Sequence, residues 1–395
     1  MSSTAPGLRP KSPAFERMRT GLAHLPLHGG RAPRWLFERM VKLARLMVAH
    51  MVEHEGPRGV LLRLSDPYWF QAFGCVLGFD WHSSGVTTTA CGALKEGLRG
   101  LEGTLGLYAA GGKGAASRRT PQEIIEHCER LGLDPAPLVR ASRLSAKVDN
   151  TALQDGYTLY HHSFFFTASG EWCVVQQGMD ENQGMARRYH WVSQGLTSFV
   201  VEPHTAVCCD RRRPTLNLVD RESDKARAAI TEISRIPNRE VERTLAALPE
   251  LRLPRRHALI DALDIRPAQL RKVLATTWAH PPEDFQQLLG TPGLGPKSLR
   301  ALALVAELVY GDRAATRDPA AYAFAHGGKD GTPYPVHRER YERTVEMFRD
   351  ALEQARLGRR EKLEALERLG RWTQRLAERE PRHPSGVGSS ASVSS

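Results

Sequence analysis

The chain has 395 residues and a mass of 44.0 kDa, and 41% of its residues are apolar while 25% are charged. This length provides room for two to three domains, and the composition excludes a wholly disordered, collagen-like or coiled-coil chain. Lysine and arginine (55) outnumber aspartate and glutamate (44), and the resulting charge of +11 favours a polyanionic partner, with nucleic acid ahead of an anionic membrane surface.

Hydropathy and cysteine usage indicate the cell compartment. No run approaches the roughly 18 apolar residues of a membrane-spanning helix, and residues 1–15 contain no hydrophobic segment typical of a signal peptide. We therefore expect a cytoplasmic protein with no membrane partner. The six cysteines contain no pair with zinc-ligand spacing, so we expect reduced and mostly buried thiols.

The domain organisation follows from shifts in composition and periodicity along the chain. Both ends are rich in proline, serine and small residues, a composition that cannot offset the entropy of ordering. Between them we predict an α/β or α+β domain with a β-hairpin in its sheet, followed by an all-α region with a helix-hairpin-helix motif. The predicted parts are a disordered tail at 1–14, an α/β core domain at 15–220, a helical domain at 221–345, a charged C-terminal helix or helix pair at 346–380, and a disordered tail at 381–395.

The first predicted elements are helices. Apolar residues at spacings of three and four within residues 35–51 predict an amphipathic helix that ends at Gly56-Pro57. Ser65 or Asp66 can then cap a second helix, which begins with Pro67 at its first position.

A glycine-rich segment, Gly111-Gly112-Lys113-Gly114, follows a predicted short strand at 104–110. It precedes Arg118 and a predicted helix start at Thr120, with a capping box to Glu123. Backbone N–H groups of such a segment, together with the lysine and the helix start, can bind a phosphate group. The spacing is not that of a Walker A loop, so ATP hydrolysis is not predicted. A flexible loop without a ligand is the alternative interpretation.

The chain then changes to a period of two, which is typical of strands. Residues 157–166 and 171–177 are rich in aromatic and β-branched residues and predict a β-hairpin. Residues 187–192 and 196–201 can add further strands to the same sheet.

Polar side chains are dense around the predicted hairpin. A metal-dependent nuclease needs carboxylates near a strand hairpin and a neighbouring group that positions the nucleophile. The candidate ligands of Mg or Mn are Asp155 and Glu171, and the candidate catalytic set is Asp155, Glu171, His161, His162 and Gln177. Because side chains alternate along a strand, the two histidines should face opposite sides of the sheet. Satisfied polar groups on a half-buried sheet are the alternative interpretation.

Residues 288–298 resemble the helix-hairpin-helix motif, since Leu-Leu-Gly-Thr-Pro-Gly-Leu-Gly-Pro-Lys-Ser lies between two apolar helical stretches. In that motif, N–H groups of the glycine turn and of the next helix contact a DNA phosphate, which a Cβ would hold away. The resemblance implies sequence-nonspecific backbone contacts rather than base excision. By position, the contacts would come from Pro292, Gly293, Leu294, Gly295, Lys297 and Ser298. A glycine-rich turn with no ligand is the alternative.

Several longer segments form a second recognisable set. They include Leu25-Pro26-Leu27-His28-Gly29-Gly30, Asp80-Trp81-His82-Ser83-Ser84-Gly85, Val174-Val175-Gln176-Gln177-Gly178-Met179 and Arg187-Arg188-Tyr189-His190-Trp191. With these segments the chain resembles the domain of unknown function 763 family over roughly residues 15–345. The resemblance implies an α/β core paired with a helix-hairpin-helix region, and it brings no catalytic assignment.

The leading hypothesis is a sequence-nonspecific DNA-binding protein of DNA repair or genome maintenance, with metal-dependent endonuclease activity as an extension. RNA is a second candidate partner, and no cofactor is indicated apart from Mg or Mn. Two alternatives stay open: a noncatalytic adaptor for nucleic acid or protein, and an enzyme acting on a small phosphorylated substrate at residues 111–114. The sequence assigns no oligomeric state.

Overall fold

The structure, a computed structural model, describes residues 33–78, 84–209, 212–237, 239–247, 267–320, 338–354 and 358–377. Its helices are α1 (Arg34–Ser65), α2 (Pro67–Leu77), α3 (Gly85–Leu98), α4 (Glu102–Leu105), α5 (Ala115–Arg118), α6 (Thr120–Leu131), α7 (Ala136–Lys147), α8 (Asp224–Arg235), α9 (Arg239–Ala247), α10 (Pro267–Ala279), α11 (Phe285–Leu289), α12 (Pro296–Tyr310), α13 (Arg338–Gln354) and α14 (Arg359–Ala377). Its strands are β1 (Leu107–Lys113), β2 (Leu153–Gln154), β3 (Thr158–Thr167), β4 (Trp172–Asp180), β5 (Met185–Val192), β6 (Ala206–Cys208) and β7 (Leu216–Asn217).

An antiparallel sheet of five strands, in the order β1-β3-β4-β5-β6, forms the centre of the fold. β3 and β4 form the predicted hairpin, and β5 pairs with β4. The predicted strand at 196–201 is wrong, because the chain turns directly after β5, where Leu196 N–H donates to the Ser193 carbonyl (3.2 Å). β6 lies beside β5 in its place. β2 and β7 pair in a second, two-stranded sheet.

Helices α1, α2 and α3 cover one face of the sheet. Phe165 and Val175 of the hairpin belong to the hydrophobic cluster on this side. Helices α13 and α14 join the same layer, since Phe348 of α13 stacks on Trp69 of α2 with 5.3 Å between ring centroids. The charged C-terminal segment is thus a helix pair packed on the N-terminal helices.

The opposite face of the sheet packs against α6 and α7, and its core continues into α8–α12. Phe164 and Trp191 of the sheet share one hydrophobic cluster with Ile230 of α8 and Leu302 of α12. Successive residues of a strand point to opposite faces, so Phe164 and Phe165 contribute to different layers. The sheet and the helical region therefore share a continuous core.

The predicted start of α2 is confirmed, whereas the predicted end of the first helix is wrong. Asp66 caps α2 as predicted, because its Oδ1 accepts hydrogen bonds from the N–H groups of Tyr68 (2.8 Å) and Trp69 (3.2 Å). The predicted helix end at Gly56-Pro57 is instead a kink within α1, where Gly56 has a φ of 72° and the helix resumes at Pro57.

Three residues of the glycine-rich segment, Gly111, Gly112 and Lys113, form the end of strand β1, and Gly114 follows it. The predicted capping box at Thr120 does not form, because Glu123 Oε2 accepts hydrogen bonds from Gly111 N–H (2.8 Å) and Lys95 Nζ (2.5 Å). The Thr120 hydroxyl donates to the Ser117 carbonyl (2.7 Å). These contacts anchor α6 to the end of β1.

The described part of the chain contains no helix with the length and apolar character needed to cross a membrane. All six cysteines are buried and form no disulfide, as expected. Burial raises the pKa of the Cys91 thiol to about 12, so this group is protonated at neutral pH.

Candidate functional site

The turn between α11 and α12, residues 290–295, forms an exposed corner on the helical side of the molecule. Gly293 has a φ of 83°, in the left-handed region that favours glycine. Pro292, Gly293 and Lys297 are exposed, whereas Leu294 is fully buried between the helices. The buried Leu294 side chain holds the turn against the helices, while Pro292 and Gly293 remain at the surface.

The corner is joined to α7 by a hydrogen bond. Lys147 Nζ donates to the Leu294 carbonyl at 2.6 Å. Arg140 and Arg143 precede Lys147 by seven and four positions, so the three basic side chains share one face of α7. Both arginines are exposed, and neither α7 nor residues 290–306 contains an acidic residue. We call the corner and this face of α7 the basic surface. Sequence reasoning missed its α7 half, whose signal is three cations at helical spacing.

On the opposite layer, between the sheet and α1–α3, a row of polar side chains crosses four strands. The strand register pairs Lys113 with His161, His161 with Gln177, and Gln177 with Arg188. These four residues therefore lie side by side on one face, and we call them the cross-strand row. Lys113 is exposed, while the other three side chains are buried.

The cross-strand row lies against the N-terminal end of α3. Gln177 Nε2 donates to the Ser84 carbonyl (2.9 Å), directly before α3, and it also contacts the Tyr160 hydroxyl. A bulge in β3 at Tyr160 brings that ring to the same face as His161, where Lys113 Nζ lies 5.8 Å from the ring centroid. Tyr160 therefore closes the row at its exposed end.

Two buried side chains of the row, and one side chain of α3, each have a polar atom without a hydrogen bond. Within the described part of the chain, His161 Nδ1, Gln177 Oε1 and Thr87 Oγ1 have no partner. Burial, together with the nearby His162 and Lys113, lowers the pKa of His161 to about 3, so its imidazole is neutral at pH 7. Sequence reasoning misses Thr87, because nothing in the local pattern indicates which side of α3 faces the sheet.

His162 and the acidic groups near it belong to a different network on the opposite face. Its Nδ1 lies 2.8 Å from Gln176 Oε1, and Gln176 Nε2 donates to Asp149 Oδ2 (2.6 Å). Asp149 also accepts from Trp191 Nε1 (2.9 Å) and lies 2.5 Å from His204 Nε2. Burial lowers the pKa of His162 to about 4. The predicted separation of the two histidines by the sheet is therefore what the structure shows.

Asp155 and Glu171, the predicted metal ligands, are not brought together. Asp155 is buried before β3 and forms an ion pair with Arg187 (2.8 Å). Glu171 follows β3 and accepts a hydrogen bond from Thr167, which lowers the pKa of its carboxyl group. The ten residues of β3 lie between them, about 30 Å of extended chain, so these carboxylates cannot share one ion.

The glycine-rich segment offers fewer phosphate contacts than predicted. The N–H of Gly111 donates to Glu123, and the N–H of Gly114 donates to the Tyr160 carbonyl (2.7 Å). Neither amide can therefore bind a phosphate without losing a bond. Arg118 is exposed in the four-residue helix α5, and Lys113 is the member of the segment that belongs to the cross-strand row.

A different group of side chains has the geometry of a metal site. On α1, the ligand atoms of His50, Glu53 and His54 all lie within 4.8 Å of one another. Their spacing of three and four residues places them on one helix face, and this spacing is the signal that sequence reasoning missed. The group is far along the chain from Asp155 and Glu171. The segments at 24–30 and 80–83, singled out for their histidines, lie outside the described residues.

A family model described as "Protein of unknown function (DUF763)" matches residues 21–336. No curated protein and no solved structure matches the chain.

Proposed function

We propose that this chain, which belongs to the DUF763 family, binds the phosphate backbone of DNA without sequence specificity through the basic surface. The observation that carries the proposal is the bond from Lys147 Nζ to the Leu294 carbonyl, which holds the glycine corner beside the cationic face of α7. The corner belongs to the segment that resembles the helix-hairpin-helix motif, and the exposed Gly293 allows a phosphate to approach the backbone.

Electrostatics supports this surface over others. Exposed Arg140, Arg143 and Lys297 are separated by no acidic side chain of α7 or of residues 290–306. The first turn of α12 adds the positive end of a helix dipole and N–H groups without helical partners. Such groups contact phosphates and carry no information on base identity, so the binding should be independent of sequence.

The test is a fluorescence-anisotropy titration of labelled DNA duplexes of unrelated sequence, at about 50 to 200 mM NaCl. We expect equal affinities for the duplexes and an affinity that falls steeply with salt. Replacing both Arg143 and Lys297 with glutamine should weaken binding and reduce the slope of log K against log salt by about 0.9 for each lost phosphate contact. Arg99→Gln is the matched control, because this exposed arginine follows α3 in the opposite layer.

An unchanged slope in the double variant, or a loss equal to that of Arg99→Gln, would contradict the proposal. Titration of an RNA duplex of the same length identifies the partner. A higher affinity for the RNA duplex than for the DNA duplex would make RNA the ligand of the basic surface. The structure separates Asp155 from Glu171, so metal-dependent cleavage is not part of the proposal. Cleavage can be tested directly by incubating the protein with the same duplexes and Mg or Mn and measuring the length of the DNA.

A further inference from the structure

Three buried polar atoms without a hydrogen bond, those of His161 and Gln177 in the cross-strand row and of Thr87 in α3, lie where α3 crosses the sheet. Helix α3 crosses β3 from β4 to β1, because Gln177 Nε2 of β4 donates to the Ser84 carbonyl directly before the helix (2.9 Å) and Lys95 Nζ near the helix end donates to the Gly111 carbonyl of β1 (2.8 Å). Thr87 is fully buried in the first turn of α3, at the end of the helix that lies beside Gln177. Gln177 is the direct neighbour of His161 across the β3–β4 pair, so Thr87 lies close to both side chains.

These atoms need a partner. Thr87 Oγ1, His161 Nδ1 and Gln177 Oε1 are buried and lack hydrogen bonds within the described residues. A buried polar atom without a hydrogen bond costs about 1 to 3 kcal/mol, and such atoms are rare unless water or a ligand satisfies them. Three in one place indicate an internal binding site.

The charges around the site favour an anion. Lys113 stands at its exposed end, and Arg188 stands at the buried end of the row, where it donates to Gln71 Oε1 (3.2 Å). The first turn of α3, where the helix dipole is positive, lies beside the row, since Gln177 Nε2 donates to the Ser84 carbonyl directly before it. The row itself contains no carboxylate.

We propose that the cross-strand row, with Thr87 and the N-terminus of α3, binds a phosphate group, either free or as the terminal monoester of a larger molecule. The Thr87 hydroxyl donates to one phosphate oxygen. His161 Nδ1 donates to another when its Nε2 accepts the hydrogen bond from Ser163 (3.0 Å). Gln177 Oε1 accepts from a protonated phosphate oxygen, and Lys113 neutralises the charge. This site is separate from the basic surface, because it lies on the other face of the sheet.

The test measures binding of inorganic phosphate to the full chain by calorimetry and by the rise in melting temperature, with chloride at equal ionic strength as the blank. We expect saturable binding at one site and stabilisation that follows phosphate concentration. Lys113→Gln, at an exposed position, and Thr87→Val, of similar shape, should each weaken binding about tenfold or more, as loss of a hydrogen bond to a charged group does. Thr88→Val and Lys225→Gln are the matched controls and should bind like the original chain.

A second arm assigns the source of the phosphate. An oligonucleotide with a 5′-phosphate should bind more tightly than its 5′-hydroxyl form, in a manner lost with Thr87→Val, if the site takes nucleic-acid ends. Binding of inorganic phosphate alone would assign a small anion or monoester.

The proposal is overturned if phosphate neither binds nor stabilises the chain, or if both site variants bind it normally. It is also overturned if Thr87→Val raises the stability of the chain and leaves phosphate binding unchanged. The polar atoms of Thr87, His161 and Gln177 would then be hydrated and would bind no phosphate. The double variant of Arg143 and Lys297 should leave phosphate binding unchanged, so failure here is distinguishable from failure of DNA binding.

Discussion

Asp155 and Arg187 form an ion pair in which both side chains are fully buried, with 2.8 Å between Oδ2 and Nη1. Arg187 Nη2 also pairs with Asp318 Oδ2 (2.7 Å), and the Asp155 carboxylate accepts a hydrogen bond from the Tyr189 hydroxyl (2.7 Å). The pair thus connects the sheet to the segment that follows α12. Its geometry is that of a buried structural ion pair, in which each charge depends on the other.

Loss of this pair should destabilise the protein. In Asp155→Asn the carboxylate charge is removed while the guanidinium stays buried, so we expect the free energy of unfolding to fall by about 3 kcal/mol. Urea denaturation followed by circular dichroism measures the change. Glu171→Gln, at the other end of β3, should cost less than about 1 kcal/mol, since only one hydrogen bond at a turn is weakened. Equal effects of the two substitutions would contradict the assignment.

Gly111 should not tolerate a side chain. It has a φ of 87°, and a Cβ would overlap the His162 carbonyl oxygen and the Thr120 hydroxyl. Gly111→Ala therefore combines backbone strain with a steric clash, and we expect a loss of more than about 2 kcal/mol. Gly114→Ala is the matched control, because its φ of 60° is also left-handed but the space around it is open. Its cost should be about 1 kcal/mol. Thermal and urea unfolding of both variants should rank them in this order.

Stability should fall as the pH is lowered below about 6.5. Burial lowers the pKa of His161 to about 3 and that of His162 to about 4, so the unfolded chain takes up these protons first. Each histidine should cost about 1 to 2 kcal/mol of unfolding free energy between pH 6.5 and pH 5. In His162→Gln the decrease should be smaller by one such contribution. Asp149, whose pKa burial raises, is present in both proteins, so their difference reports His162. Parallel curves of unfolding free energy against pH would contradict a lowered pKa of His162 in the folded state.

The C-terminal helix pair should be held by Phe348. Its side chain is fully buried and stacks on Trp69 of α2. We expect Phe348→Ala to lower the free energy of unfolding by about 3 to 5 kcal/mol, or to release α13 and α14 from the N-terminal helices. Proteolysis and tryptophan fluorescence distinguish these results. Arg349→Ala, at the exposed neighbouring position, is the control, and an identical response of the two variants would show that the contact is not what holds the pair.

Elements marked by local patterns could be predicted. The period of two placed the β3–β4 hairpin, and Asp66-Pro67 placed the start of α2, because alternation and capping depend on neighbours in sequence. The local pattern of the glycine-rich segment does not indicate that Gly111 to Lys113 are extended, since this depends on pairing with β3 some fifty residues later. The pattern around Asp155 predicts a metal ligand, because nothing near it in sequence indicates that Arg187 is its partner.

The amino-acid sequence alone determined that His161 and His162 face opposite sides of a strand and that the glycines of the turn at 290–295 directly precede Lys297. Tertiary structure alone decided that His161 lies in a row with Lys113, Gln177 and Arg188, and that Lys147 lies beside Leu294. The physical reason is the range of the interactions. Alternation is a property of adjacent peptide units, whereas strand register and the partners of a buried charge are set by packing between segments far apart in the chain.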